Sequence, residues 1–254
     1  MPWRALRGLA TLAAFAALAA PAAANEITVY SGGAVKSALV EAAQRYEKQN
    51  GTRIAIEFHP MGPLTKKLAE GATPDIVILT REVMDEEERK PALAGAAQTE
   101  IGRVAIGVAV REGAPAPDIS TPEAFRNTVL AAKSIVYIDP ARGTSGKHLA
   151  AVFQQLGIAE AIKAKTTLGS GGYVVEPVGK GEVELGIHQI TEILPVPGVK
   201  LVGPLPTALQ KETVYVGAVT KTAAHPKDAQ AFLAYLRLPE TRTLFAERGF
   251  IEPR

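Results

Sequence analysis

Two spacings of hydrophobic positions, one of strands and one of helices, take turns along this chain. Residues 27–30 and 53–58 carry the β-branched, alternating pattern of strands, while Val35, Leu39, Ala42, Ala43 and Tyr46 fall on one face of a helix over 35–48. A short helix over 64–69 is stopped by Gly71 and Pro74, and the unbroken run Ile76-Val77-Ile78-Leu79 predicts a strand buried on both faces. An acidic, solvated helix over 82–90 follows, then one long strand over 103–111, a loop rich in Pro and Gly at 113–118 and a helix over 122–132. Further strands are expected at 134–138, 185–187, 199–202 and 213–220, with helices at 145–156, 173–180, 226–236 and 239–248. Such alternation predicts an α/β fold with largely parallel sheets. The pattern changes near Gly102 and again at Pro204 and Pro206. These changes predict two lobes, one of residues 25–107 and 206–254 and one of 108–205, joined by two hinge crossovers.

The first 24 residues differ from the rest and read as a cleaved export leader, with Arg4 and Arg7 ahead of an apolar run and Ala22-Ala23-Ala24 at its end. The apolar run is too short to span a bilayer, so a periplasmic destination is expected. Without the leader, about 230 residues remain, enough to bury a core in each of two lobes. The 28 Lys and Arg nearly balance 26 Asp and Glu, which argues against a nucleic-acid surface. The absence of Cys removes thiolate catalysis and Cys-ligated metal, and His59, His148, His188 and His225 lack metal-ligand spacing. No metal and no cofactor are therefore expected, and a monomer is assumed.

In a parallel α/β sheet, ligands bind beyond the carboxyl ends of the strands, where loops lead into helix N-termini. Five such loops carry candidate chemistry. Ser31, Gly32 and Gly33 offer a hydroxyl, close backbone approach and free N–H groups. His59 and Gly62 lie in the second loop, where flanking prolines have no N–H to give. The third, Asp139 to Gly146, is the richest: Ala141, Arg142, Gly143, Thr144 and Ser145 combine a guanidinium suited to carboxylates with two hydroxyls at a helix start. The Gly-rich segment 169–173 and the pair His188-Gln189 complete the set. Converging from both lobes, these loops predict a cleft for a small anion.

Several of these stretches carry a resemblance. Val29-Tyr30-Ser31-Gly32-Gly33-Ala34, Pro74-Asp75-Ile76-Val77-Ile78, Gly102-Arg103-Val104-Ala105-Ile106, Asp139-Pro140 before a Gly-rich helix start, and the segment 179–186 together resemble the periplasmic molybdate-binding protein family. The resemblance implies a type 2 periplasmic binding protein fold and a solute-binding component that delivers its ligand to the membrane component of an ABC importer. It also implies a ligand set of Ser31, Gly62, the turn from Ala141 to Thr144, Val174 and Gln189. Two departures bear on the ligand: His59-Pro60-Met61-Gly62 stands where the family has serines, and His188-Gln189 where it has a tyrosine. An arginine and two imidazoles suit an organic di- or tricarboxylate better than a tetrahedral oxyanion such as molybdate, which comes second. The chain is also similar to periplasmic aconitate isomerase, which implies an alternative: a cofactor-free proton transfer on a tricarboxylate, with His59, His188 or Glu176 as acid and base.

Overall fold

The computed structural model describes residues 26–251, and the leader expected over 1–24 lies outside them. The first lobe is built on β1 (Glu26–Gly32), β2 (Arg53–His59), β3 (Ile76–Thr80) and β4 (Gln98–Val104). Between these strands run α1 (Lys36–Asn50), entered through a 3-10 turn at Gly33–Val35, then α2 (Met61–Ala69) and α3 (Arg81–Glu87). The chain then enters the second lobe with β5 (Ile106–Arg111), α4 (Pro122–Ala131), β6 (Ile135–Ile138), α5 (Thr144–Gln155), α6 (Ala159–Lys163) and β7 (Thr166–Gly169). That lobe closes with α7 (Glu176–Gly179), β8 (Leu185–Gln189), α8 (Ile190–Ile193) and β9 (Val199–Pro204). Finally β10 (Thr213–Val219), α9 (Pro226–Tyr235) and α10 (Pro239–Glu247) return to the first sheet.

The two sheets share one plan. Their orders are β2-β1-β3-β10-β4 and β7-β6-β8-β5-β9, and in each the fourth strand runs antiparallel to both of its neighbours. The remaining pairs are parallel, so the expectation of largely parallel sheets needs correcting by one reversed strand per sheet. Those reversed strands, β5 and β10, are the ones that follow each passage between sheets. The long strand expected over 103–111 is likewise two strands, broken at Ala105, where the chain leaves one sheet for the other. The apolar run over 104–110 hid the break, because it is buried on both sides of Ala105.

Each sheet has its own apolar core. Ile27, Val29, Leu39, Ile76, Ile78 and Phe232 belong to the first, and Val108, Phe125, Ile135, Leu149, Phe153 and Ile187 to the second. One side chain ties the two passages together: Gln210 accepts from the Ile106 N–H at 3.0 Å and donates to the Ile106 carbonyl at 2.7 Å. Pairing both groups of a buried backbone residue costs nothing in unsatisfied polarity. A second knot lies at the start of β3, where Asp75 accepts from Thr28 N–H and hydroxyl at 2.8 Å each, and from the N–H groups of Ala224 at 2.7 Å and His225 at 3.1 Å. Burial pushes the Asp75 carboxyl up, but these bonds outweigh it and hold it below the usual value.

The helix expected over 173–180 shrinks to one turn. Gly171 and Gly172 adopt positive φ and Val174 N–H bonds back to Gly172, so the segment begins as a turn. Both α6 and β7 escaped sequence reading; β7 is a short edge strand, two of whose four residues are exposed, with little periodicity to detect.

Candidate functional site

Between the lobes lies a cavity lined by residues of both. The first lobe lines it with Gly33, Lys36, Phe58, His59 and Met61, and β10 adds Tyr215. From the second lobe come Gly143, Thr144, Ser145, Tyr173, His188, Gln189 and Glu192. Its wall is therefore polar on both sides.

The chain is placed there by close backbone packing. A Cβ on Gly146 would lie 2.1 Å from the Ile138 carbonyl oxygen, so only glycine lets the first turn of α5 rest on the end of β6. That packing brings Thr144 and Ser145 to the cavity with the N–H groups of a helix start, which have no intrahelical partner. Opposite, a Cβ on Gly32 would meet the Met61 methyl at 2.6 Å and the Tyr215 ring at 2.8 Å. Glycine at 32 is what allows these two side chains to form the cavity floor.

Four side chains from β8, α8 and β10 make the buried end of the site. Tyr215 OH donates to Gln189 Oε1 at 3.2 Å, and Gln189 Nε2 points to Thr213 Oγ1 at 3.5 Å. Burial pushes the Tyr215 phenol well above its ordinary value, with the Glu192 carboxylate adding to the effect, so this hydroxyl stays a neutral donor. His188 Nε2 comes within 3.1 Å of Glu192 Oε2, yet neither ring nitrogen completes a hydrogen bond. The two are close neighbours, and the imidazole keeps its hydrogen-bonding capacity unspent. Both are nearly withdrawn from solvent, at 1% and 8% side-chain exposure.

At the other end, His59 is partly exposed and pairs with Glu57 at 3.2 Å, beside Lys67. The Lys67 ammonium holds the Glu57 carboxyl below its usual range. Lys36 Nζ stands 5.9 Å from the Phe58 ring centre and 5.3 Å from that of Tyr173.

Of the residues expected to bind solute, Gly33, His59, Gly143, Thr144, Ser145, His188 and Gln189 line the cavity. The others stand elsewhere. Ser31 is fully buried within β1, its hydroxyl donating to Gly32 O, because the strand runs two residues further than the alternation indicated. Gly32 packs behind the wall. Gly62 donates its N–H across the lobes to the Arg142 carbonyl at 3.2 Å. The N–H groups of Ala141, Arg142 and Gly143 are consumed by Asp139, through its Oδ1 and its carbonyl. The Arg142 side chain faces outward, its Nε donating to Ser170 O at 2.6 Å, which makes it a brace between loops. Val174 gives its N–H to Gly172, and Glu176 is exposed at the start of α7, away from the cavity.

Sequence reading missed Lys36, Glu192 and Tyr215 as wall residues, whereas Tyr173 lies in the segment 169–173 that it singled out. His188 and Glu192 are four apart, a spacing that becomes a contact only because a strand ends at Gln189 and a helix turn follows. Tyr215 lies at the start of a reversed strand, so a search at the carboxyl ends of parallel strands passes over it.

Residues 27–251 match the family profile described as bacterial extracellular solute-binding protein. The chain is 32% identical over 246 residues to an aconitate isomerase of Pseudomonas sp, covering 94% of this chain and 93% of that one. It is 23% identical over 248 residues to the molybdate-binding protein of Rhodobacter capsulatus, covering 96% and 95%. The solved periplasmic molybdate-binding protein of Azotobacter vinelandii superposes with a TM-score of 0.74 at 18% identity, over 90% of this chain and all of that chain.

Proposed function

The chain belongs to the bacterial extracellular solute-binding protein family, with its two-lobed periplasmic binding protein fold, and from that premise we propose that it captures a small organic polycarboxylate in the cleft between its lobes. The observation that carries this reading is the make-up of the wall: Thr144, Ser145, Gln189, His59 and Lys36 supply donors from both lobes, while Glu192 supplies a buried acid. A fully ionised tetrahedral oxyanion would lie against that carboxylate, and like charges in a confined site repel. An elongated solute can put its carboxylates on the donors and a C–H, hydroxyl or protonated group toward Glu192. The leader pattern and the family's extracellular character support export to the periplasm and hand-over to an ABC importer's membrane component. Calorimetric titration against citrate, aconitate, malate, molybdate and sulfate tests the reading: carboxylates bind and the oxyanions bind more weakly. Binding by none of the carboxylates overturns it.

A second reading, proton transfer on a bound tricarboxylate, is favoured by one specific observation. The His188 ring nitrogens sit at the cavity wall with hydrogen-bonding capacity unspent, beside the Glu192 carboxylate. One of them would take a proton from a CH2 beside a carboxylate and return it two carbons away, shifting a C=C bond with no change in composition and no cofactor. The aconitate isomerase of Pseudomonas sp. at 32% identity supports this reading. Its test is proton NMR of cis-aconitate with the purified protein in deuterium oxide. Conversion to the trans isomer supports it, and an unchanged spectrum overturns it.

A further inference from the structure

Lys36 occupies a position that protein stability alone does not favour. It opens α1, where the helix presents its positive dipole end, and the first turn holds no acid to offset it. Its side chain is exposed and, among the described residues, forms no ion pair with a carboxylate. The ammonium is instead placed by aromatic faces from both lobes: Phe58 in β2 at 5.9 Å and Tyr173, after β7, at 5.3 Å. It lies on the cavity wall. A cation set against a helix dipole, held between two rings at the mouth of an anion cleft, is a local conflict of the kind that marks functional positions.

We propose that Lys36 is the specificity-determining residue that makes the cleft prefer solutes with one more carboxylate than the α5 helix start can hold. This rests on the polycarboxylate reading above and assigns the distal charge to a single side chain. Thr144 and Ser145 at the start of α5 receive one carboxylate, and Lys36, from the opposite lobe, receives another. Because Tyr173 moves with the second lobe, the ammonium is fixed in place only when the lobes are together. Recognition of the extra charge is thereby coupled to closure.

The test compares tricarballylate, with three carboxylates, against glutarate, with two, by calorimetry on the mature protein. Wild type favours tricarballylate, and Lys36→Met reduces that preference at least tenfold while its melting temperature stays near that of the wild type. Lys36→Arg, which keeps the charge, restores most of the preference, and Tyr173→Leu lowers tricarballylate affinity more than glutarate affinity. A Lys36→Met protein that keeps the wild-type ratio between the two solutes, whether or not both affinities fall, overturns the assignment and leaves polycarboxylate binding intact. Wild-type protein that binds neither solute overturns both. Lys36→Gln, which keeps a polar side chain, serves as the second variant if the methionine form folds poorly, with the same ratio as readout.

Discussion

Asp75 at 3% exposure and Glu192 at 6% are carboxylates withdrawn from solvent in opposite surroundings. Asp75 sits at the start of β3 and is met by four donors from β1 and the β10–α9 connection. Glu192 sits at the cavity wall beside an imidazole that it approaches without hydrogen-bonding. The cost of burying an acid is recovered only through well-aligned donors. Asp75 recovers it within the protein and so serves the fold. Glu192 does not recover it from the neighbouring imidazole, which fits the solute contact proposed for it.

That contrast can be broken by substitution. Asp75→Ala strands buried donors and is expected to cost about 4 kcal/mol in denaturant unfolding, while solute affinity of the folded fraction stays within about twofold. A cost under about 1 kcal/mol would make the knot incidental. Acid titration gives the next largest effect. The folded state holds Asp75 below the ordinary carboxyl value, so its contribution is complete above the unfolded value of about 3.9 and is lost as pH falls through the lower folded value. Thermal melting followed down through that range should therefore drop more steeply in wild type than in Asp75→Asn.

Glu192→Gln should behave in the reverse sense. Stability changes by less than about 1 kcal/mol, yet molybdate or sulfate affinity rises about tenfold, about 1.4 kcal/mol, as the like charge is removed. Unchanged oxyanion affinity in calorimetry would show that Glu192 does not face the solute. Thr28→Val removes the hydroxyl that donates to Asp75 while keeping side-chain shape, and about 1 kcal/mol is expected from chemical denaturation. The smallest effect belongs to the exposed pair Lys67–Glu57, where Lys67→Met should shift stability by no more than about 0.5 kcal/mol in the same assay.

Much of the scaffold was legible in advance. Strand runs such as Ile76 to Leu79 and amphipathic helices such as α1 state their type locally, because spacing of apolar residues reports which faces are buried. The break at Ala105 was not legible, since a strand that changes sheets remains apolar throughout. In the site, loops at strand ends gave Gly33, His59, Thr144, Ser145 and the pair His188 and Gln189. The same rule pointed to Ser31, Gly62 and Arg142, whose polar groups the structure spends on neighbouring backbone. Whether a donor is spent or available depends on partners distant in sequence.

The sequence by itself determined the α/β alternation, the anion-suited chemistry of the strand-to-helix loops and the resemblance that led to the family. Tertiary structure alone decided which of those groups face a common cavity. It reversed β10 so that Tyr215 enters the site, and it folded α8 so that Glu192 meets His188. It also set Lys36 between rings of both lobes. The physical reason is range: periodicity and capping act over a few residues, whereas the charge balance of a cleft is settled by side chains that meet only when two sheets come together.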